Sequence, residues 1–150
     1  MDSTDKQILK ILQHNAETSL ADIAHSINLS PTPCWRRIAR MKEEGLIRKT
    51  VALLDAKKLG VGVTVFVSVR TNQHSPAWFR KFNAAVTALP EVMEFYRMSG
   101  DIDYLLRVVV ADIADYDRVY QRLIASVDLF DVSSSFAMEE IKFSTELPIA

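Results

Sequence analysis

The sequence predicts an α+β protein in two parts, three short helices followed by a strand–helix–strand–strand–helix–strand unit. Two observations carry that prediction. Apolar residues recur at spacings of three and four through Met41, then switch to alternation at Val63, Val65, Val67 and Val69. Charge is also unevenly divided, although the net value is only −1: residues 1–58 hold ten Lys/Arg against seven Asp/Glu, and residues 59–150 hold eight against twelve. The expected parts are therefore residues 1–58 and residues 59–150.

In the first part, Ile8, Leu9 and Leu12 share one helical face, and Asp2, Ser3 or Thr4 is available to cap it. A second helix places Leu20, Ile23, Ala24 and Ile27 together behind Thr18 or Ser19, and "NLS" follows as a tight turn. Ser30 is an N-cap type and Pro31 suits a first helical position, where a missing N–H costs nothing. Cys34, Ile38 and Met41 give the third helix a core face, and Gly45 ends it. "LIRKTVALLD" then reads as a short extended linker strand.

In the second part, "VGVTVFVSVRT" alternates as a strand, and Phe79, Phe82, Val86 and Leu89 mark a helix. "EVMEFYRMSG" and "DYLLRVVVA" are two strands joined at Gly100 and Asp101. Ile113, Tyr116, Tyr120, Leu123 and Val127 mark the second helix, and "SSSFAMEEIKFST" the last strand. This βαββαβ order is the ferredoxin-like arrangement, whose right-handed crossovers put both helices on one sheet face. The other face needs a cover, and a second copy is the simplest one, so at least a dimer is expected.

Composition narrows the function. At 49% hydrophobic and 25% charged, the chain fits a soluble globular protein. No apolar run nears the roughly 20 residues of a membrane helix, and the acidic start is unlike a secretory signal. A single cysteine, Cys34, permits no internal disulfide and fits a reducing cytoplasm; its spacing with Ile38 makes it a core residue in preference to a redox sensor. His14, His25 and His74 lie in three elements without ligand spacing, so no metal or cofactor is expected. No nucleophile triad or glycine-rich phosphate loop appears, and Glu139 and Glu140 would point to opposite faces of a strand, which argues against an enzyme.

Three short helices with a tight turn before the third make a helix-turn-helix, winged-helix-like unit, whose third helix lies in the major groove of double-stranded DNA. Residues 36–49 hold six basic groups and two acidic ones. Thr32, Arg36 and Arg40 lie opposite the core face, flanked by Pro33, Trp35 and Arg37. Arginines reach guanine edges or phosphates, Ser30 and Thr32 are short donors for phosphate, and Arg48 and Lys49 follow for the flanking backbone. A solvated basic helix is the alternative; position on the third helix of a trihelical unit favours DNA.

The pattern of Asp2, Asp5, Ile8, Leu9, Leu12, Asn15, Leu29, Ser30, Arg37, Ile38, Arg40, Met41, Gly45 and Ile47, followed by βαββαβ, resembles the Lrp/AsnC (feast/famine) regulators along essentially the entire chain. "TPCWRRI" and "SSSFAMEEIKFSTELPI" are similar to a subgroup that includes a cysteine-responsive regulator. The resemblance implies an operator-binding domain, an effector-binding and oligomerisation (RAM) domain, and dimers that often build octamers. It implies an amino-acid effector such as leucine, methionine or cysteine at the loop "MSGDIDY", Met98 to Tyr104. There, N–H groups near Gly100 would take a carboxylate and Asp101 or Asp103 an ammonium, with Ile102 between them and Ser133, Ser134 and Ser135 adding hydroxyls. Two readings compete: an enzyme on the same scaffold, similar to sirohaem decarboxylases, and a DNA-organising protein that senses nothing. As a plain turn, one Gly–Asp pair would suffice.

Overall fold

Helix α1 (Ser3–His14) begins at Asp2, whose carboxylate accepts the Asp5 N–H at 2.8 Å while the Asp5 carboxylate accepts the Asp2 N–H at 3.0 Å. This reciprocal capping box satisfies two of the helix's orphan donors. Helix α2 (Leu20–Ser26) starts at Ser19, whose hydroxyl accepts from the Asp22 N–H at 3.1 Å. Asn28 then takes φ 55°, a left-handed conformation that Asn tolerates, and the chain turns sharply. Helix α3 (Pro31–Glu43) follows with Pro31 in its first turn; Ser30 occupies the N-cap but its hydroxyl caps nothing. Gly45, at φ 74°, stops the helix, and the Ile47 N–H returns to the Met41 carbonyl at 3.1 Å. Ile8, Ile23, Ala24, Cys34 and Met41 are buried together, ringed by Leu9, Leu12, Leu20, Ile27, Ile38 and Ile47.

The computed structural model describes residues 1–150 and divides them into two units, Met1–Leu53 with Ile141–Ala150, and Leu54–Glu140. Residues 141–150 thus belong to the helical unit. Gln13 clasps Leu147 there, donating to its carbonyl and accepting from its N–H, both at 3.0 Å. His14 Nδ1 lies 2.9 Å from Glu146 Oε1. The linker strand expected after Ile47 does not form: residues 48–54 pair with no strand, and residues 55–61 make turns closed by Leu59 N–H to Asp55 and Val61 N–H to Ala56.

The second unit contains β1 (Val63–Arg70), α4 (Pro76–Thr87), β2 (Val92–Arg97), β3 (Tyr104–Val110), α5 (Ile113–Ser126) and β4 (Asp131–Phe136). The sheet order is β2-β3-β1-β4, with every neighbouring pair antiparallel. Ser75 and Asp112 cap α4 and α5 by accepting N–H bonds from Trp78 and Asp115. One sheet face, with Val65, Val67, Val69, Leu106 and Val108, packs on Phe82 and Val86 of α4 and on Tyr116, Val119 and Leu123 of α5. The opposite face presents Phe66, Leu105 and Tyr96, with Arg107 paired to Glu94 at 2.7 Å. Ile113, expected in the α5 core stripe, is 71% exposed, and Val119 stands in it instead.

The last strand is shorter than its alternation predicts. Ala137 N–H to the Thr64 carbonyl is its final rung, because β1 begins at Val63 and offers nothing further to pair with. Glu139 and Glu140 lie beyond it, exposed and outside any strand. No helix is long and apolar enough to cross a membrane.

Candidate nucleic-acid interface and effector loop

Helix α3 turns Cys34 and Met41 into the core and leaves Thr32, Trp35 and Arg36 exposed. Burial pushes the Cys34 thiol above its ordinary value, against a smaller opposing effect of Arg37, in keeping with a side chain packed in the core. Arg36 has no carboxylate within ion-pair distance. Arg37 and Arg40, expected beside it as DNA contacts, are tied to α1. Arg37 Nη1 donates to Asp2 Oδ2 and to Asp5 Oδ1, each at 2.7 Å, and Arg40 Nη2 donates to Asp5 Oδ2 at 2.6 Å. Asp5 is 1% exposed. Burial alone would raise its carboxyl pKa, but the Asp2 N–H and the two guanidinium groups outweigh that and hold it below the ordinary value. The same bonds raise Arg37.

The tie orients α3. A buried carboxylate with both oxygens engaged fixes two side chains one helical turn apart on α3, and thereby the roll of the helix about its axis. Sequence reading missed this because the partners lie 32 and 35 residues apart; the available signal was an acid three residues after an acidic N-cap. Arg48 and Lys49 are exposed just beyond Gly45, and Ser30 keeps a free hydroxyl at the start of α3.

In the second unit the loop from Met98 to Asp103 is built rigidly. Gly100 takes φ 116°, where only glycine is at ease. The Met98 N–H bonds the Asp103 carbonyl at 2.8 Å, and the Asp103 N–H bonds the Val69 carbonyl at 2.9 Å. Asp103 Oδ2 accepts from the Thr71 N–H at 2.8 Å, and Arg70 Nε donates to the Asp101 carbonyl at 2.8 Å. Asp103 therefore fastens the loop to β1, while the Asp101 side chain is exposed and unengaged and Ile102 is half-buried.

Besides Asp103, two of the expected effector residues have other employment. Tyr104 is 7% exposed and packs among Trp78, Phe79, Phe82 and Phe95, so its ring belongs to the core. Ser134 pairs across from Val67 on the helix side and hydrogen-bonds the Tyr116 hydroxyl. Ser133 and Ser135 face the other side, opposite Ser68 and Phe66. Because β1 lies between β3 and β4, the loop and the serines are not gathered into one pocket within a single chain. A concavity of about 400 Å³ sits elsewhere, between the end of α5 and the start of β4, lined by Tyr120, Ile124, Phe130 and Val132 among others.

Comparison with known proteins matches both units. Residues 64–147 fit the family described as the Lrp/AsnC ligand binding domain, and residues 1–48 fit a winged helix-turn-helix DNA-binding family. The chain is 48% identical over 150 residues, 99% of each protein, to the DNA-binding transcriptional activator DecR of Escherichia coli K12. A crystal structure of an AsnC family transcriptional regulator from Agrobacterium tumefaciens superposes with a TM-score of 0.95 at 58% identity, covering 99% of this chain and 97% of that one. A transcriptional regulator from Neisseria meningitidis, solved as a complex with L-Met, gives 0.93 at 32% identity, covering 99% and 96%.

Proposed function

This chain belongs to the Lrp/AsnC family of transcriptional regulators, with a helix-turn-helix DNA-binding domain and a ligand-binding domain, and from that premise we propose how its own residues divide the work. The observation that carries the proposal is the split on α3 between two arginines locked to Asp5 and an outward row of Thr32, Trp35 and Arg36 left free. Arg36 makes the base contact. Ser30, Arg48 and Lys49 bind flanking phosphates, and Arg37 and Arg40 position the helix, Arg40 with enough exposure to reach phosphate as well. The helical unit acts on the operator and the βαββαβ unit on effector and assembly.

The effector is an amino acid, a class supported by the L-Met complex of the Neisseria relative. Met98, Gly100, Asp101 and Ile102 form its first wall: free N–H groups around Gly100 take the carboxylate and the unengaged Asp101 takes the ammonium. Ser133 and Ser135 contribute from the open face once a second copy covers it, as a dimer and then an octamer. The protein works in the cytoplasm as a sensor and carries out no reaction, as the regulator names of its relatives support. A thermal-shift screen of the twenty amino acids tests the effector class, since a ligand that binds only the folded state raises its stability. At least one amino acid should raise the melting temperature, and none doing so defeats the sensing half of the proposal.

A further inference from the structure

Helix α3 carries an exposed feature that neither charge nor the core explains. Trp35 is 59% exposed, one turn into the helix, with no ring partner and no hydrogen bond from its indole N–H. Beside it, Leu20 from the start of α2 and Pro31 and Thr32 from the start of α3 line an open concavity of about 270 Å³ with Trp35 as its wall. Leu20 packs partly against the helical core and α3 buries Cys34 and Met41 on another face, so the Trp35 ring itself is surplus to that core. Its surroundings are polar and cationic: Ser30 with an unused hydroxyl, Arg36 with no ion pair, and the uncapped N–H groups of the first turn of α3. An apolar notch bordered by groups that favour anions fits the floor of a DNA major groove, where one base edge alone is apolar. That edge is the C5-methyl group of thymine.

We propose that Trp35, with Thr32 and Leu20, forms a thymine-methyl pocket that sets operator specificity next to the base read by Arg36. The proposal rests on the operator-binding reading and deepens it: Arg36 reads donors and acceptors, and Trp35 reads a methyl group. Because the ring is exposed and supports nothing in the core, its removal changes recognition and leaves the fold alone.

The test uses the full chain and DNA that it selects itself. Duplexes enriched from a random-sequence library by the wild-type protein are resynthesised with deoxyuridine replacing thymidine one position at a time, which deletes only the methyl. The wild type should lose about fourfold in affinity at one or two thymines of each half-site, the equivalent of one methylene-sized group. Trp35→Ala should bind the parent duplex more weakly and show no further loss at those same positions. Trp35→Phe, which keeps an apolar ring but has no N–H, should keep the deoxyuridine penalty. Equal binding of all substituted duplexes by the wild type, or a penalty that persists in Trp35→Ala, overturns the pocket. An unchanged parent affinity in Trp35→Ala overturns it too. Failure to enrich any sequence overturns sequence-specific binding itself, which separates that failure from loss of the pocket alone.

Discussion

Asp5 is buried with its two oxygens bound to the Asp2 N–H, Arg37 and Arg40. Removing it takes the buried acceptor from Arg40, one of two carboxylates from Arg37, and half of the α1 capping box together. Asp5→Ala is therefore expected to cost about 2–4 kcal/mol of stability in the helical unit, read by thermal or urea unfolding. Its lowered pKa also fixes the sign of an acid effect. The carboxylate's contribution is complete above its unfolded-state pKa and is lost as pH falls through the lower folded value. Wild-type stability should decline on acidification from about pH 5 downward, and Asp5→Ala should show a shallower decline. Arg36 and Arg40 now part company. Arg36→Ala should weaken operator binding by about 1–3 kcal/mol with unfolding stability within about 0.5 kcal/mol of wild type. Arg40→Ala should lose measurable stability as well, because Asp5 loses a donor. A gel shift and a melt on each variant decide it; equal stability losses in both would defeat the distinction. The basic character of α3 was legible in the sequence, but which arginines are free was not, since their partners come from another helix.

Along β1 the alternation of Val65, Val67 and Val69 with Phe66 and Ser68 was plain in the sequence, yet not which set faced the helices. That depends on how the crossovers fold back, which no single strand encodes. The structure puts the valines on the helix side. Val67→Thr, nearly isosteric but carrying a hydroxyl into the core, should destabilise the second unit by about 1–3 kcal/mol. Phe66→Thr should leave unfolding of the unit almost unchanged and reduce the assembled mass seen by light scattering, because Phe66 lies on the uncovered face. A wild type that scatters as a monomer, or a Phe66→Thr variant as large as wild type, removes the assembly role of that face. The end of β4 shows the opposite limit of sequence reading. Alternation continues through Ile141 and Phe143, but a strand lasts only as long as its neighbour, and β1 has already ended.

At the scale of the whole chain, the order of helical unit and βαββαβ unit was readable because a change of period is a local signal. Of the residues expected around the loop, the sequence could not show that Tyr104 and Ser134 are committed to the core, because the contacts that commit them come from distant residues. On the proposed reading, an effector at the loop would act on DNA by favouring one arrangement of subunits, and so one spacing of α3 helices, about 34–36 Å or multiples of it. A coupling of about 1–3 kcal/mol corresponds to a change of roughly 5- to 150-fold in operator affinity. Asp101→Ala should abolish that change and leave effector-free binding near the wild-type level. Calorimetry with the amino acid found in the screen, beside gel shifts on the same variant, checks both halves, and a normal response in Asp101→Ala removes the loop from the effector site.

The clasp between Gln13 and Leu147 joins residues 134 apart in sequence. It makes the helical unit discontinuous, with the entire second unit synthesised between its two pieces. During translation the three helices emerge and can bury Ile8, Ile23, Cys34 and Met41 long before Leu147 exists. The clasp contributes nothing to that core, since its hydrogen bonds lie on an exposed surface. Its closure is expected to come last, after the sheet is complete, because closing so long a loop by diffusion is entropically costly until the intervening chain has folded and shortened it. A newly made chain can therefore hold a folded helical unit before it has a ligand-binding unit, but it gains the clasp only after that unit has been made.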